Sequence, residues 1–155
     1  LAVGYSSDAS AAVVGVQDCA FVRGFVSAGW IAGGGGMDVS YSAAAVAAQL
    51  IVRRSNFTTA NLEDPYDMND GQGGGLRVRY GGDGSGSAVE VTDSRFDANQ
   101  LVAGALAYGG GMLILYFGMS SGARVSVAGA CVSLVLCLCL CFVWVCLRRV
   151  HVCSE

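Results

Sequence analysis

Lysine is absent from this chain, and all nine of its basic residues are arginines. Proline occurs once, at Pro65, and histidine once, at His151. Charged residues of both signs fill only 14% of the 155 positions and leave a net charge of −3. Each scarcity excludes something. Without a basic excess there is no electrostatic footprint for nucleic acid. Before His151 the chain has neither lysine nor histidine, so the commonest general bases and amine nucleophiles are missing. Cysteine is scarce where a fold would need it. Cys19 stands alone before Cys131, while Cys131, Cys137, Cys139, Cys141, Cys146 and Cys153 crowd the end, which is not a disulfide framework. The chain opens on Leu1 with no signal-peptide pattern and reads as a piece whose start is missing.

Glycine is what the chain has in quantity, 23 residues, and its placement is periodic. Triplets precede the strand-like stretches GGGMDVSY (34–41), GGGLRVRY (73–80) and GGGMLILY (109–116). From the last glycine of each triplet (Gly36, Gly75, Gly111) to Leu50, Val89 and Val125 is 14 residues every time. From there to Phe57, Phe96 and Val132 is 7 residues every time. Leu1 to Tyr5 fits the frame of Met37 to Tyr41, as does Val14 to Phe21 that of Leu50 to Phe57, so the period is 36, 39 and 36 residues. Linkers rich in glycine do not recur in this way, whereas repeat architectures do.

Within each unit, apolar and polar residues alternate, which gives a strand one apolar face. The inward positions form columns across units. They are Val3, Val39, Val78 and Ile114; Tyr5, Tyr41, Tyr80 and Tyr116; Val16, Val52, Val91 and Val127; and Phe21, Phe57, Phe96 and Val132. Outward positions such as Ala2, Asp38, Arg77 and Leu113 are tolerant. A small residue two before the phenylalanine (Cys19, Ser55, Ser94, Ala130) also faces inward, which requires a bend just before it. Matched columns superpose if successive units stack as parallel strands ~4.8 Å apart. The fold class expected is all-β, a right-handed parallel β-helix of about four rungs over residues 1–127, with units beginning near 1, 34, 73 and 109. Glycine at the turns is expected to serve through positive φ and through the close approach of neighbouring backbone.

The run VEVTDSRFDAN (89–99), followed by GGGMLI (109–114), resembles the polymorphic outer-membrane protein repeat, with its F-x-x-N and G-G-A-[ILV] elements. Phe96 and Asn99 match F-x-x-N, Asn61 falls one residue late after Phe57, and Gly24 stands where the asparagine after Phe21 would be. The third glycine of each triplet stands where that family has alanine. The resemblance covers residues 1 to about 127. It implies a right-handed parallel β-helix on a secreted or surface protein, often adhesive, and implies no substrate.

Residues 128–147, AGACVSLVLCLCLCFVWVCL, carry no charge. As a helix they would span ~30 Å, the thickness of a bilayer core. Arg148 and Arg149 follow and would lie on the cytoplasmic side, leaving a tail of 148–155 and the repeats outside. Cys146 and Cys153 beside them are candidates for S-acylation. Two readings stand beside the transmembrane helix, a cap helix buried on the repeats and a tail that is divergent or an intron read through by a gene model. The fourth unit competes for the same residues through Val125, Val127 and Val132.

Candidate chemistry is sparse. Asn56-Phe57-Thr58 is an N-x-T sequon with Asn56 on the outward side, a glycosylation acceptor in a eukaryotic secretory setting. The acidic excursion with Glu63, Asp64, Asp67 and Asp70 offers oxygen ligands for calcium, but its spacing is not that of an EF-hand loop and it reads better as solvated. Asp18, Arg54 and Asp93 share an outward column, as a catalytic carboxylate set or as mutually neutralising surface charges. No catalytic, cofactor-binding or metal-binding residues are assigned, and no cofactor is expected. The leading expectation is a non-catalytic structural or adhesive module that meets cell-surface glycans or proteins through the excursions 22–33, 58–72 and 97–108. It would lie at the cell surface or outside the cell, with membrane contact through 128–147. The alternatives are a carbohydrate-active β-helix of the polysaccharide lyase or hydrolase kind and a gene fragment without selected function.

Overall fold

The computed structural model describes residues 1–27, 31–33, 35–58, 61–63, 70–72, 74–97, 99–102, 106–108, 111–129, 132–140 and 143–152. Of these, 25–27, 31–33, 61–63, 70–72, 100–102, 106–108, 132–140 and 143–152 are described as backbone alone. The protein is all-β, and no helix occurs among the described residues. The first unit holds Ala2–Tyr5 (β1), Val13–Gln17 (β2), Ala20–Val22 (β3), Phe25–Ser27 (β4) and Ile31–Gly33 (β5). The second holds Met37–Tyr41 (β6), Gln49–Arg53 (β7), Asn56–Thr58 (β8), Asn61–Glu63 (β9) and Asp70–Gln72 (β10). The third holds Leu76–Tyr80 (β11), Ala88–Thr92 (β12), Arg95–Asp97 (β13), Gln100–Val102 (β14) and Leu106–Tyr108 (β15). Met112–Tyr116 (β16), Arg124–Ala128 (β17), Val132–Leu140 (β18) and Val143–Val152 (β19) follow.

Each strand pairs with its counterpart in the next unit, never with its neighbour in sequence until the last pair. The sheets run β1-β6-β11-β16-β18-β19, β2-β7-β12-β17, β3-β8-β13, β4-β9-β14 and β5-β10-β15. All pairings are parallel except the antiparallel β18-β19. The register follows the sequence period. Tyr5 lies beside Tyr41, Tyr41 beside Tyr80 and Tyr80 beside Tyr116. The Val16, Val52, Val91, Val127 and the Phe21, Phe57, Phe96 series are matched in the same way. A slip of one residue would send every one of these side chains to the opposite face, so the core itself holds the register. That core is a single cluster in which Tyr41, Tyr80, Phe57, Leu50, Leu76 and Val78 are fully buried.

The seven residues between the first two strands of each unit form a turn that repeats from unit to unit. Ala12 N–H donates to Ala9 O at 3.0 Å, and the same bond recurs from Ala48 to Ala45 and from Ser87 to Gly84, both at 3.1 Å. The third residue of each turn is left-handed, with φ of 57° at Ala11, 57° at Ala47, 67° at Gly86 and 69° at Gly122. That is the signature of a type II turn, which favours glycine there. The two alanines hold a conformation that costs about 1–2 kcal/mol for an L-residue. Hydrogen bonds between successive turns, such as Ala11 N to Val46 O at 2.8 Å and Ala47 N to Ser85 O at 2.9 Å, hold it in place.

A second left-handed column makes the corner after β2, β7 and β12, with φ of 52° at Asp18, 46° at Arg54, 50° at Asp93 and 58° at Gly129. The next residue is the small one expected to face inward; Cys19 is exposed, Ala130 lies outside the described residues, and at the two corners between them its role exceeds its size. Ser55 and Ser94 are buried. Ser94 Oγ accepts from Ser55 N–H at 3.1 Å and donates to Thr92 O at 2.8 Å. Ser55 Oγ repeats this with Cys19 N–H at 3.2 Å and Arg53 O at 2.9 Å. The bend interrupts the parallel ladder, and the hydroxyl supplies the missing acceptor. Ser94→Ala is therefore expected to strand the buried N–H of Ser55 and to cost about 2 kcal/mol. Urea unfolding would show a lower midpoint at an unchanged slope, whereas an unchanged midpoint would mean that another acceptor takes over.

The triplet glycines differ from expectation in one respect. Among the described glycines, positive φ occurs at Gly86, Gly122 and Gly129 and not in the triplets. Gly36 and Gly75 are required by close approach alone. A Cβ on Gly36 would stand 2.6 Å from Gly75 O, and one on Gly75 would stand 2.5 Å from Gly111 O.

The excursions are more regular than irregular loops. Phe25, Asn61 and Gln100 lie side by side, as do Ile31, Asp70 and Leu106. The longer second unit therefore takes its extra residues between Glu63 and Asp70, at 64–69, which lie outside the described residues. The outward column Ala2, Asp38, Arg77, Leu113 is also less permissive than expected. Arg77 grips Asp38 with two bonds of 2.9 and 2.6 Å, and Leu113 is fully buried, so β16 is buried along its whole length.

The helix expected over 128–147 is not what the chain forms. Val125 and Val127 stay in β17, in register with Val89 and Val91, and the chain then enters β18 beside β16, with Leu134 next to Met112 and Leu138 next to Tyr116. Val132 thus opens a strand along β16 and adds no fourth member to the β3-β8-β13 sheet. Two causes act together. The outer edge of β16 offers a row of unpaired backbone groups. The run that reaches it, VSLVLCLCL, is apolar almost throughout, and Val132 and Val135 favour the strand. No helix among the described residues is long and apolar enough to cross a membrane.

Candidate functional site

The inward columns form ladders and not binding strips. The rings of Tyr5 and Tyr41 are stacked at 5.1 Å, Tyr41 and Tyr80 at 4.9 Å, and Tyr80 and Tyr116 at 4.5 Å. Phe21, Phe57 and Phe96 stack at 4.6 Å in each step. Such offset or parallel aromatic pairs add to the burial of the rings themselves. Tyr116 reaches Ser87 Oγ at 3.1 Å, while the hydroxyls of Tyr41 and Tyr80 are buried without a partner.

Burial pushes the Tyr41 hydroxyl up to about 12, helped by Tyr5 beside it and by Tyr116 further along the ladder. Tyr80 is shifted further in the same direction by burial first, and Tyr116 is raised by burial too. An unfolded tyrosine ionises near about pH 10. Below that pH the phenols are neutral in both states and their contribution is constant. Above it the unfolded chain binds fewer protons than the folded one, so stability falls by about 1.4 kcal/mol per pH unit for each of Tyr41, Tyr80 and Tyr116 until the folded group titrates. Urea midpoints should hold steady up to about pH 10 and then drop steeply toward about pH 12, with tyrosinate absorbance appearing together with unfolding. Tyrosinate appearing in a chain that stays folded near about pH 10 would contradict the burial of these hydroxyls.

The outward candidates gather at the corner after β2, β7 and β12. Arg54 clasps Asp18 through Nε to Oδ1 at 2.7 Å and Nη2 to Oδ2 at 2.8 Å, with both side chains more than half exposed. The Arg54 guanidinium, and then Gln17, hold the Asp18 carboxyl down at about 2. Asp93 is close enough to add to the raised pKa of Arg54. A carboxylate held ionised in a bidentate ion pair on an open surface is a poor proton donor, so the geometry here is that of neutralised surface charge. Arg53 with Glu90 at 2.9 Å and Arg95 with Asp97 at 2.6 Å extend the same pattern. Among the described residues no group of His, Cys, Asp or Glu is arranged to hold a metal ion. Of the acidic excursion, Asp64 and Asp67 lie outside the described residues, as does the tip of each of the other two excursions.

Asn56 is exposed at the head of β8, while Phe57 beside it is fully buried. The F-x-x-N asparagine has a structural task that sequence reasoning left unassigned. Asn99 Nδ2 donates to Phe57 O at 2.9 Å, binding the third unit to the second just past the corner. Asn61 stands one place further along its unit, with register partners Phe25 and Gln100, the residue after Asn99. Phe117 and Met119, exposed in the turn after β16, are the other surface feature, with the Arg79 guanidinium 5.0 Å from the Phe117 ring centroid.

No protein-family model, curated protein or solved structure matches the chain.

Proposed function

We propose that the chain is part of a right-handed parallel β-helix that serves as a non-catalytic structural or adhesive module of a surface or secreted protein. The observation that carries this reading is the residue-for-residue parallel register between successive units, at separations of 36, 39 and 36 residues. Parallel strands joined by crossovers are right-handed in nearly all proteins. The stacked tyrosines and phenylalanines and the serine-filled corners make such a stack stiff. The difference in unit length falls at the excursion tips, where three extra residues are absorbed without disturbing any described register. A rigid scaffold with variable tips is the usual arrangement of a binding surface.

The partners are cell-surface glycans or proteins. The test is binding of the purified chain to a glycan array and to intact cells, beside a variant in which 64–69 is shortened to the length of 103–105. Binding that is lost or redirected in the shortened, still folded variant supports the reading. Absence of binding to any surface defeats the adhesive part. Location at the cell surface belongs to the same proposal, with residues 128–147 as the contact with the membrane. Flotation with lipid vesicles tests that contact, and a chain that never rises with the lipid removes it.

A further inference from the structure

We infer that Asn56 is an N-linked glycosylation site whose glycan covers the outer face of β3 and β8. The inference rests on the proposed passage of the chain through a secretory route, and it concerns one residue that the reading above leaves without a task. Among the asparagines, 56, 61, 69 and 99, only Asn56 is followed by the x-Ser/Thr pattern. The fold turns that short pattern into a site. Phe57, the central residue of the sequon, is locked in the core between Phe21 and Phe96. Strand alternation then puts Asn56 and Thr58 together on the outer side, where Asn56 is exposed and Thr58 half-buried. The Asn56 backbone N–H is already used, donating to Cys19 O at 2.9 Å, so the side-chain amide is the group left facing solvent.

The surroundings fit a sugar. The register partners of Asn56 are Ala20 and Arg95. Ala20 is small and exposed, and the Arg95 guanidinium is drawn aside onto Asp97 at 2.6 Å, so neither crowds the amide. Next to Thr58 lies Val22, an outward apolar residue that is 59% exposed. The innermost N-acetylglucosamine has an apolar face of its own and would shield this patch. In the transfer, Asn56 Nδ2 forms a bond to the anomeric carbon of an oligosaccharide carried on a lipid diphosphate. The bond from that carbon to the diphosphate oxygen breaks, the lipid diphosphate leaves with its electron pair, and the amide gives up one proton.

Two measurements test this. Trypsin cuts at Arg54 and Arg77 and releases residues 55–77 as one peptide. In protein isolated from its own cells, that peptide should carry a hexosamine-containing mass that peptide N-glycosidase removes while converting Asn56 to Asp. The full chain, carried into the lumen of a eukaryotic secretory cell behind an added signal peptide, should show a single glycosidase-sensitive mobility shift, absent from Asn56→Gln and from Thr58→Ala. Protein recovered from the native cell surface with residues 55–77 unmodified overturns the glycan and leaves the surface reading standing. A shift that persists in Asn56→Gln overturns the assignment to this residue. Native protein confined to the cytosol and unmodified overturns both.

Discussion

Replacing Phe57 by alanine is expected to lower stability by about 4 kcal/mol. Phe57 is fully buried and sits at the middle of its ladder, with ring centroids 4.6 Å away on either side. Truncation removes the burial of a whole ring and two stacking contacts, each worth about 0.5–1.5 kcal/mol. The site also collapses poorly, because the backbone on both sides is tied into parallel ladders through Ala20, Asn56 and Arg95. Phe57→Leu keeps much of the volume and should lose distinctly less. Chemical unfolding of the pair, followed by far-ultraviolet circular dichroism, measures the difference. If Phe57→Ala lost no more than Phe57→Leu, the stack would be packed loosely enough to close over a missing ring, and its stiffness would no longer support a presenting scaffold.

The Phe57 column was legible in the sequence because spacing alone exposes it. The 14- and 7-residue intervals and the period-two alternation fall on the same registers that the strands adopt, from Val3 beside Val39 to Val91 beside Val127. What stayed hidden was conformation that no shared side chain announces. Asp18, Arg54, Asp93 and Gly129 turn the same corner with left-handed backbone, yet aspartate, arginine and glycine share no side-chain chemistry that would mark the position. Serine at 55 and 94 looked merely small, since its value lies in an N–H that only the bend leaves unpaired. The three-residue strands within the excursions are too short for periodicity to mark. For residues 128–147 hydropathy and length argued for a helix, and the free edge of β16, a feature of tertiary structure, decides for strands. Of the candidate site residues, Asn56 was placed correctly on the outward side, and the Asp18, Arg54, Asp93 column proved to hold a bidentate ion pair. The excursion tips gave no chemical signal that sequence could interpret.

Gly75→Ala should be nearly as damaging, at about 3 kcal/mol, although it adds only one methyl group. A Cβ there would stand 2.5 Å from Gly111 O, 2.9 Å from Asn99 Nδ2 and 3.0 Å from Phe96 Cδ1. The carbonyl cannot easily retreat, because it accepts from both Gly75 N–H and Leu76 N–H at 3.0 Å. Nor can Asn99, which holds Phe57 O, or Phe96, which is stacked on Phe57. Gly15 provides the control. It lies on the outer side of β2 with open space around it, and Gly15→Ala should be neutral or stabilising by about 0.5 kcal/mol, since alanine loses less chain entropy on folding. The contrast separates crowding from entropy, because both substitutions make the same chemical change in the unfolded chain. If Gly75→Ala proved as mild as Gly15→Ala, the strands would have to part by a few tenths of an ångström to admit the methyl. The close approach of Gly36, Gly75 and Gly111 would then be a preference of this chain and not a condition of its fold.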